Sequence, residues 1–169
     1  MESLVDIVFE DDRWLALGLE ALAEGAAQKT LADLRLPLTG FTLCVMACND
    51  ARIAALNADF RGKPLPTNVL SWPSDERAAA SPGARPVAPK PGRADLREEL
   101  GDIAISYDTC AREAAQAGKP MADHVSHLLV HGILHLLGYD HVQEADAALM
   151  EGTEVRILAQ MGLCDPYSL

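Results

Sequence analysis

The spacing of histidines in the stretch "HGILHLLGYDH" constrains this chain more than any other feature of its sequence. The three histidines are His131, His135 and His141, and Gly138 precedes the last of them by three residues. Residues four apart on a helix project from one face, so His131 and His135 can hold a single ion. Gly138 permits a left-handed turn that ends the helix and brings His141 back to the ion. The spacing therefore predicts a helix that ends at a three-histidine metal site.

Three neutral imidazoles leave a fourth coordination position for water, as in catalytic zinc sites, whereas structural zinc sites usually have four protein ligands. The spacing matches the zinc-protease pattern H-E-x-x-H-x-x-G-x-x-H, except that Gly132 replaces the glutamate that acts as general base. Cleavage of a peptide needs that glutamate to protonate the amine leaving group. A metal ion beside a cation instead suits a phosphodiester, whose negative charge both can bind. We therefore expect one divalent ion per chain, zinc by preference with other transition metals acceptable, and phosphodiester hydrolysis.

Neighbouring polar residues are candidates for supporting roles. His127 lies one helical turn before His131, and His124 lies one turn earlier. Each either assists the site or contacts substrate, or is an ordinary packed or solvated histidine. Asp140 is adjacent to a ligand and either accepts a hydrogen bond from an imidazole, belongs to the turn or carries a proton.

The charge distribution leaves two interpretations open. The chain has a formal net charge of −11, but residues 51–97 contain eight basic and four acidic side chains. That segment is therefore +4 and the rest of the chain −15. The segment either contacts nucleic acid or forms a solvated basic loop.

Length and composition indicate one globular domain spanning residues 1–169. No apolar run approaches the roughly 18 residues of a membrane span. The acidic N-terminus lacks the features of a signal peptide, and the four scattered cysteines suit reduced thiols, so we expect a cytoplasmic protein.

Hydrophobic periodicity predicts an α+β fold with four strands and about five helices. The strands are expected near residues 3–10, 40–48, 68–72 and 99–106, and the helices near 13–34, 51–60, 107–117, 121–137 and 143–161. A Pro/Ala/Gly-rich excursion at about 74–94 is expected to be mobile. Strand order and direction are not predictable from these patterns.

Four blocks of sequence together resemble the YbeY family of endoribonucleases. These are "LNADFRGKPLPTNVLSWP", "LGDIAIS", "HLLVHGILHLLGYDH" and "ALMEGTEVRILAQMGLCDPY". The resemblance implies a mixed four-stranded sheet flanked by helices, distantly zincin-like, with His131, His135 and His141 binding zinc. It also implies that Arg61 acts in RNA cleavage, which suits a guanidinium that binds phosphate oxygens. Lys63 and Ser71 of the same block are candidate substrate contacts.

The activity implied by the resemblance is single-strand-preferring endoribonuclease action in small-subunit rRNA 3′-end maturation and ribosome quality control. The implied partners are RNA, the small ribosomal subunit and its assembly factors. The alternatives are a non-enzymatic ribosome assembly factor with a structural metal and, less favoured, a zincin-type hydrolase of another substrate. The two departures from the family pattern are Asn68, where aspartate is usual, and a longer excursion at 74–94. The excursion is either an RNA-contacting flap or a dispensable insertion. Its four basic residues are Arg77, Arg85, Lys90 and Arg93.

Overall fold

The computed structural model describes residues 2–168 and forms an α+β fold. Its regular elements, in chain order, are β1 (Val5–Phe9), a 3-10 helix (Asp12–Leu17), α1 (Leu19–Asp33), β2 (Phe41–Cys48), α2 (Asp50–Arg61), β3 (Val69–Pro73), β4 (Glu98–Ser106), α3 (Tyr107–Ala117), α4 (Met121–Leu136) and α5 (Glu144–Gln160).

The four strands form one mixed sheet in the order β1-β2-β4-β3. β2 pairs in parallel with β1 and β4, and β3 pairs antiparallel with β4. The two central strands are apolar along most of their length because helices cover both faces of the sheet. This arrangement confirms the expected α+β class and mixed sheet.

Helix α4 is the centre of the main core. It contacts α1, α3, α5 and the two strands β3 and β4. Its side chains Val125, Leu129, Ile133 and Leu136 are almost fully buried. Burying a large aliphatic side chain contributes about 1.5–3 kcal/mol, so this packing fixes the helix that carries the histidines. Helix α2 covers the other face of the sheet through Ile53 and its neighbours.

The predicted helix at 13–34 is wrong as a single element. The chain forms a 3-10 helix, turns at Gly18 with φ +74°, and only then begins α1. The break lets Trp14 lie fully buried, where its Nε1–H donates to the Cys48 carbonyl at 2.9 Å. The other predicted helices and strands match the structure to within about two residues at each end. Asn49 caps α2 by accepting from the Arg52 N–H.

The excursion at 74–94 contains no helix or strand and is tied to the rest of the fold at several points. Its Gly83 N–H donates to Asp146 of α5 at 2.7 Å. Arg77 is buried, and its guanidinium donates to the Leu136 carbonyl at 2.9 Å. Of the four basic residues in this stretch, Arg77 is therefore unavailable to RNA, and the other three are exposed.

None of the helices within residues 2–168 has both the length and the hydrophobicity that a membrane-spanning segment needs.

Candidate metal centre

The end of α4 places the three predicted ligands together. His131 and His135 lie on the last two turns of the helix, and the chain reverses at Gly138, where φ is +100°. A Cβ at Gly138 would lie 2.6 Å from the Arg77 carbonyl oxygen, so glycine is required by space as well as by conformation. His141 follows the reversal. One coordinating nitrogen from each of the three rings lies within 4.8 Å of the others.

The hydrogen bonds of the rings determine which nitrogens are free to bind metal. His135 Nδ1 lies 2.9 Å from the Tyr139 carbonyl oxygen, which can only accept, so Nδ1 carries the proton. His131 Nδ1 contacts the Glu154 carboxylate and is protonated for the same reason. Both Nε2 atoms are therefore unprotonated acceptors in the neutral rings.

These two Nε2 atoms lie 3.1 Å apart. In the neutral rings the two lone pairs face each other, and a metal ion bound by both nitrogens removes their repulsion. Nitrogens on a tetrahedral zinc ion, with bonds of about 2.0–2.1 Å, are about 3.3 Å apart. The donor set and its spacing thus fit a divalent transition metal held by His131, His135 and His141.

Burial of His135 favours the neutral form of its ring, which binds metal. Burial first, and then the positive charges that His131 and His141 would carry, lower the pKa of His135 to about 4. The ring is therefore neutral at neutral pH, which is the form that binds metal.

Glu154 of α5 contacts a predicted ligand, His131, and sequence reasoning missed it. Its side chain is fully buried beneath His131 and also accepts a hydrogen bond from the Tyr167 hydroxyl. Burial alone raises the pKa of a carboxyl, but the nearby His127 and His131 rings and the Tyr167 hydroxyl outweigh it and lower the pKa to about 2. The available signal was a single acidic residue on the buried face of α5, between Met150 and Ile157.

The three histidines open into a cleft with a volume of about 950 Å³. Arg61, at the C-terminal end of α2, and Ser71, on β3, both line it, as do His127 and Tyr167. Lys63 is exposed and is not among the lining residues. The structure therefore places Arg61 and Ser71 in the same cleft as the ligands.

Asp140 also lines the cleft but is exposed. Its carboxylate accepts from the backbone N–H of His141 at 2.7 Å. Asp140 therefore stabilises the turn that presents His141, and the rings of His131 and His135 hydrogen-bond to other groups.

Asn68, which departs from the family pattern, lies in the cleft lining and acts as a donor. Its Nδ2 lies 3.0 Å from Oε1 of Glu113 on α3. The same carboxylate oxygen is 2.9 Å from His124 Nε2. His124 is thus engaged with Glu113 and is not part of the cleft lining.

Gly132 occupies the position of the missing glutamate and lies against the sheet. A Cβ there would be 3.1 Å from Ile103 Cδ1 and 3.2 Å from Ser71 Oγ. A side chain there would require Ile103 and Ser71 to give way or α4 to shift. The glycine therefore allows close packing of the histidine helix on the sheet.

Comparison with known proteins agrees with this architecture. The profile of the family described as Endoribonuclease YbeY matches residues 9–162. Endoribonuclease YbeY of Cereibacter sphaeroides is 63% identical over 167 residues, covering 99% of this chain and 100% of that protein. The protein of the same name from Dinoroseobacter shibae is 58% identical, covering 96% and 90%. The relative from Methylocella silvestris is 41% identical, covering 99% and 87%.

A solved structure shares the fold. The solution structure of TM1509 from Thermotoga maritima aligns with a TM-score of 0.54 at 19% identity, covering 98% of this chain and 99% of that one. The extent of the profile match and the identities to these relatives lead to one conclusion: this chain belongs to the Endoribonuclease YbeY family.

Proposed function

We propose that this protein is a metal-dependent endoribonuclease that cuts single-stranded RNA in the cleft beside His131, His135 and His141. The observation that carries the proposal is the convergence of the His131 and His135 Nε2 atoms, 3.1 Å apart, in a cleft that Arg61 also lines. Membership of the YbeY family supports the endoribonuclease class.

When bound, a divalent ion at the three histidines supplies a Lewis acid and lowers the pKa of water. Arg61 supplies the second positive charge. A planar guanidinium can donate two parallel hydrogen bonds to phosphate oxygens, which suits it to this role. Ser71 and Asn68 line the same cleft and offer a hydroxyl and an amide to the sugar-phosphate chain.

Peptide hydrolysis is disfavoured by the side chains of the site. Gly132 provides no carboxylate, and Glu154, although close to His131, is fully buried and already accepts from His131 and Tyr167. No other carboxylate among residues 2–168 hydrogen-bonds to a metal-binding ring. The glutamate that a zinc protease carries one residue after its first histidine ligand, as base and acid for the amine leaving group, is therefore missing from the site.

We further propose zinc as the ion, because three imidazoles suit it, and the rRNA of the small ribosomal subunit as the substrate. The resemblance described above supports 3′-end maturation and ribosome quality control, with assembly factors of that subunit as partners in the cytoplasm.

The experiment is a cleavage assay on a single-stranded RNA oligonucleotide and its duplex, before and after chelation and zinc readdition. We expect metal-dependent cutting of the single strand. His131→Ala should abolish it, and Arg61→Ala should reduce its rate about 10²–10³-fold, the usual effect of removing a transition-state donor. Lys119→Ala, an exposed cation outside the cleft lining, is the matched control and should cut like the wild type.

Undiminished cleavage by both site variants would point to a contaminating nuclease and refute the proposal. Intact RNA at every metal load, together with a large fall in thermal stability on chelation, would favour the assembly-factor alternative with a structural metal.

A further inference from the structure

Glu154 connects the metal-binding end of α4 to the C-terminal part of the chain. We propose that Glu154 is a positioning residue that orients His131 for metal binding, and that Tyr167 holds Glu154 in place. This inference rests on the proposed function only in taking His131 as a metal ligand.

The first step of the argument concerns the ring of His131. Glu154 accepts from Nδ1–H, which fixes the tautomer and directs Nε2 to the ion. An anionic acceptor also makes the opposite nitrogen a stronger donor to metal. His135 is held differently, by the neutral carbonyl of Tyr139 at 2.9 Å. Of these two histidines, His131 is thus the one whose affinity for the metal depends on a side chain from another helix.

The second step concerns the buried charge. An isolated carboxylate with no exposed surface is costly, so it must be well paired to persist. Tyr167, which follows α5, donates its hydroxyl to Glu154. His127 Nε2 lies 3.7 Å from Glu154 Oε2, too far for a hydrogen bond but close enough for electrostatic attraction. The Tyr167 and His127 rings meet edge to face with centroids 5.8 Å apart.

The third step excludes a second ion at this position. Three atoms here lie within 4.8 Å of one another, as in a metal site: a nitrogen of His127, a nitrogen of His131 and a carboxylate oxygen of Glu154. The contact between His131 Nδ1 and Glu154 is a hydrogen bond, so a proton occupies the space that an ion would need. The cluster therefore supports the three-histidine site and holds no metal itself.

The competing explanation is that Glu154 only packs α5 against α4. Such a role predicts a change in the stability of the metal-free protein without a matching change in metal affinity. A positioning role predicts weaker metal binding by a protein that is still folded. Metal affinity, measured without any RNA, separates the two.

The experiment is a zinc titration of the full-length chain against a chromogenic chelator, with the unfolding midpoint of the metal-free protein measured in parallel. We expect Glu154→Gln, which keeps the shape and removes the charge, to weaken zinc binding about 10–100-fold. Tyr167→Phe, which removes only the hydroxyl, should give a smaller loss of at least threefold. Glu151→Gln, an exposed position on the same helix, is the control and should bind like the wild type.

Zinc affinity within twofold of the wild type in Glu154→Gln would overturn the inference. Should that variant fail to fold, Tyr167→Phe decides, and unchanged affinity there would overturn it equally. A wild-type protein that binds no zinc would overturn this inference and the proposed function together. One that binds zinc with the expected losses in the variants, yet leaves RNA intact, would overturn the proposed function alone.

Discussion

Individual hydrogen-bond partners determine what each polar residue of this protein can do. His131 and His135 present Nε2 to a metal ion because their Nδ1 atoms are occupied by Glu154 and the Tyr139 carbonyl, as the proposed site requires. Asp140 is adjacent to a ligand in sequence, yet its carboxylate binds backbone. Sequence spacing predicted which imidazoles would meet, since that depends on helix geometry. It could not predict Glu154, which is 23 residues from His131 along the chain and reaches it through packing.

The Asn68–Glu113 pair gives a prediction at this scale. Asn68→Asp, which restores the usual family residue, would replace a donor with a second carboxylate 3.0 Å from Glu113. We expect the free energy of unfolding to fall by about 1 kcal/mol, from the lost hydrogen bond and like-charge repulsion. Urea denaturation measures this.

The double variant Asn68→Asp/Glu113→Gln returns a donor to the pair and should recover most of the loss. Equal stability of Asn68→Asp and the wild type would show that the contact with Glu113 contributes nothing.

At the scale of elements, the end of α4 is determined both by local backbone conformation and by a contact with a residue distant in sequence. The reversal at Gly138 was predictable, because only glycine adopts φ +100° readily. The burial of Arg77 at this end was not predictable, because Arg77 comes from a segment whose composition is typical of exposed loops. Its contact with Leu136 joins residues 59 apart in the chain. Sequence patterns missed the break in the helix predicted at 13–34 for the same reason. That break at Gly18 accompanies the burial of Trp14 in the core, a long-range contact.

Arg77→Ala tests whether the excursion supports the metal site. The change removes the donor to the Leu136 carbonyl at the C-terminal end of α4 and leaves that oxygen buried without its partner. We expect a loss of about 2–3 kcal/mol in the free energy of unfolding, measured in urea. Arg77→Lys should not restore it, since an ammonium cannot reproduce the guanidinium geometry.

Arg93→Ala, in the same excursion, serves as the comparison. Arg93 is 79% exposed and pairs with Asp95 across 3.5 Å, so its loss should change stability by less than about 0.5 kcal/mol. Equal effects of the two alanine variants would show that burial of Arg77 does not stabilise the end of α4.

At the scale of the whole molecule, the fold assembles a site from parts that are distant in sequence. The sheet places β3 beside α4, so that Ser71 and the histidines line one cleft. α2 ends at the same cleft with Arg61, and the segment after α5 contributes Tyr167. Sequence patterns predicted the elements and the fold class, whereas the order of the strands depends on contacts between segments that no local pattern specifies.

Zinc X-ray absorption spectroscopy of the protein loaded with one equivalent of zinc tests the three-histidine site most directly. We predict three imidazole nitrogens and one further oxygen or nitrogen at about 2.0–2.1 Å, with a single ion per chain. A sulfur shell at about 2.3 Å, or fewer than three imidazoles, would contradict the account, because the ion would then be bound by a cysteine or elsewhere than at His131, His135 and His141.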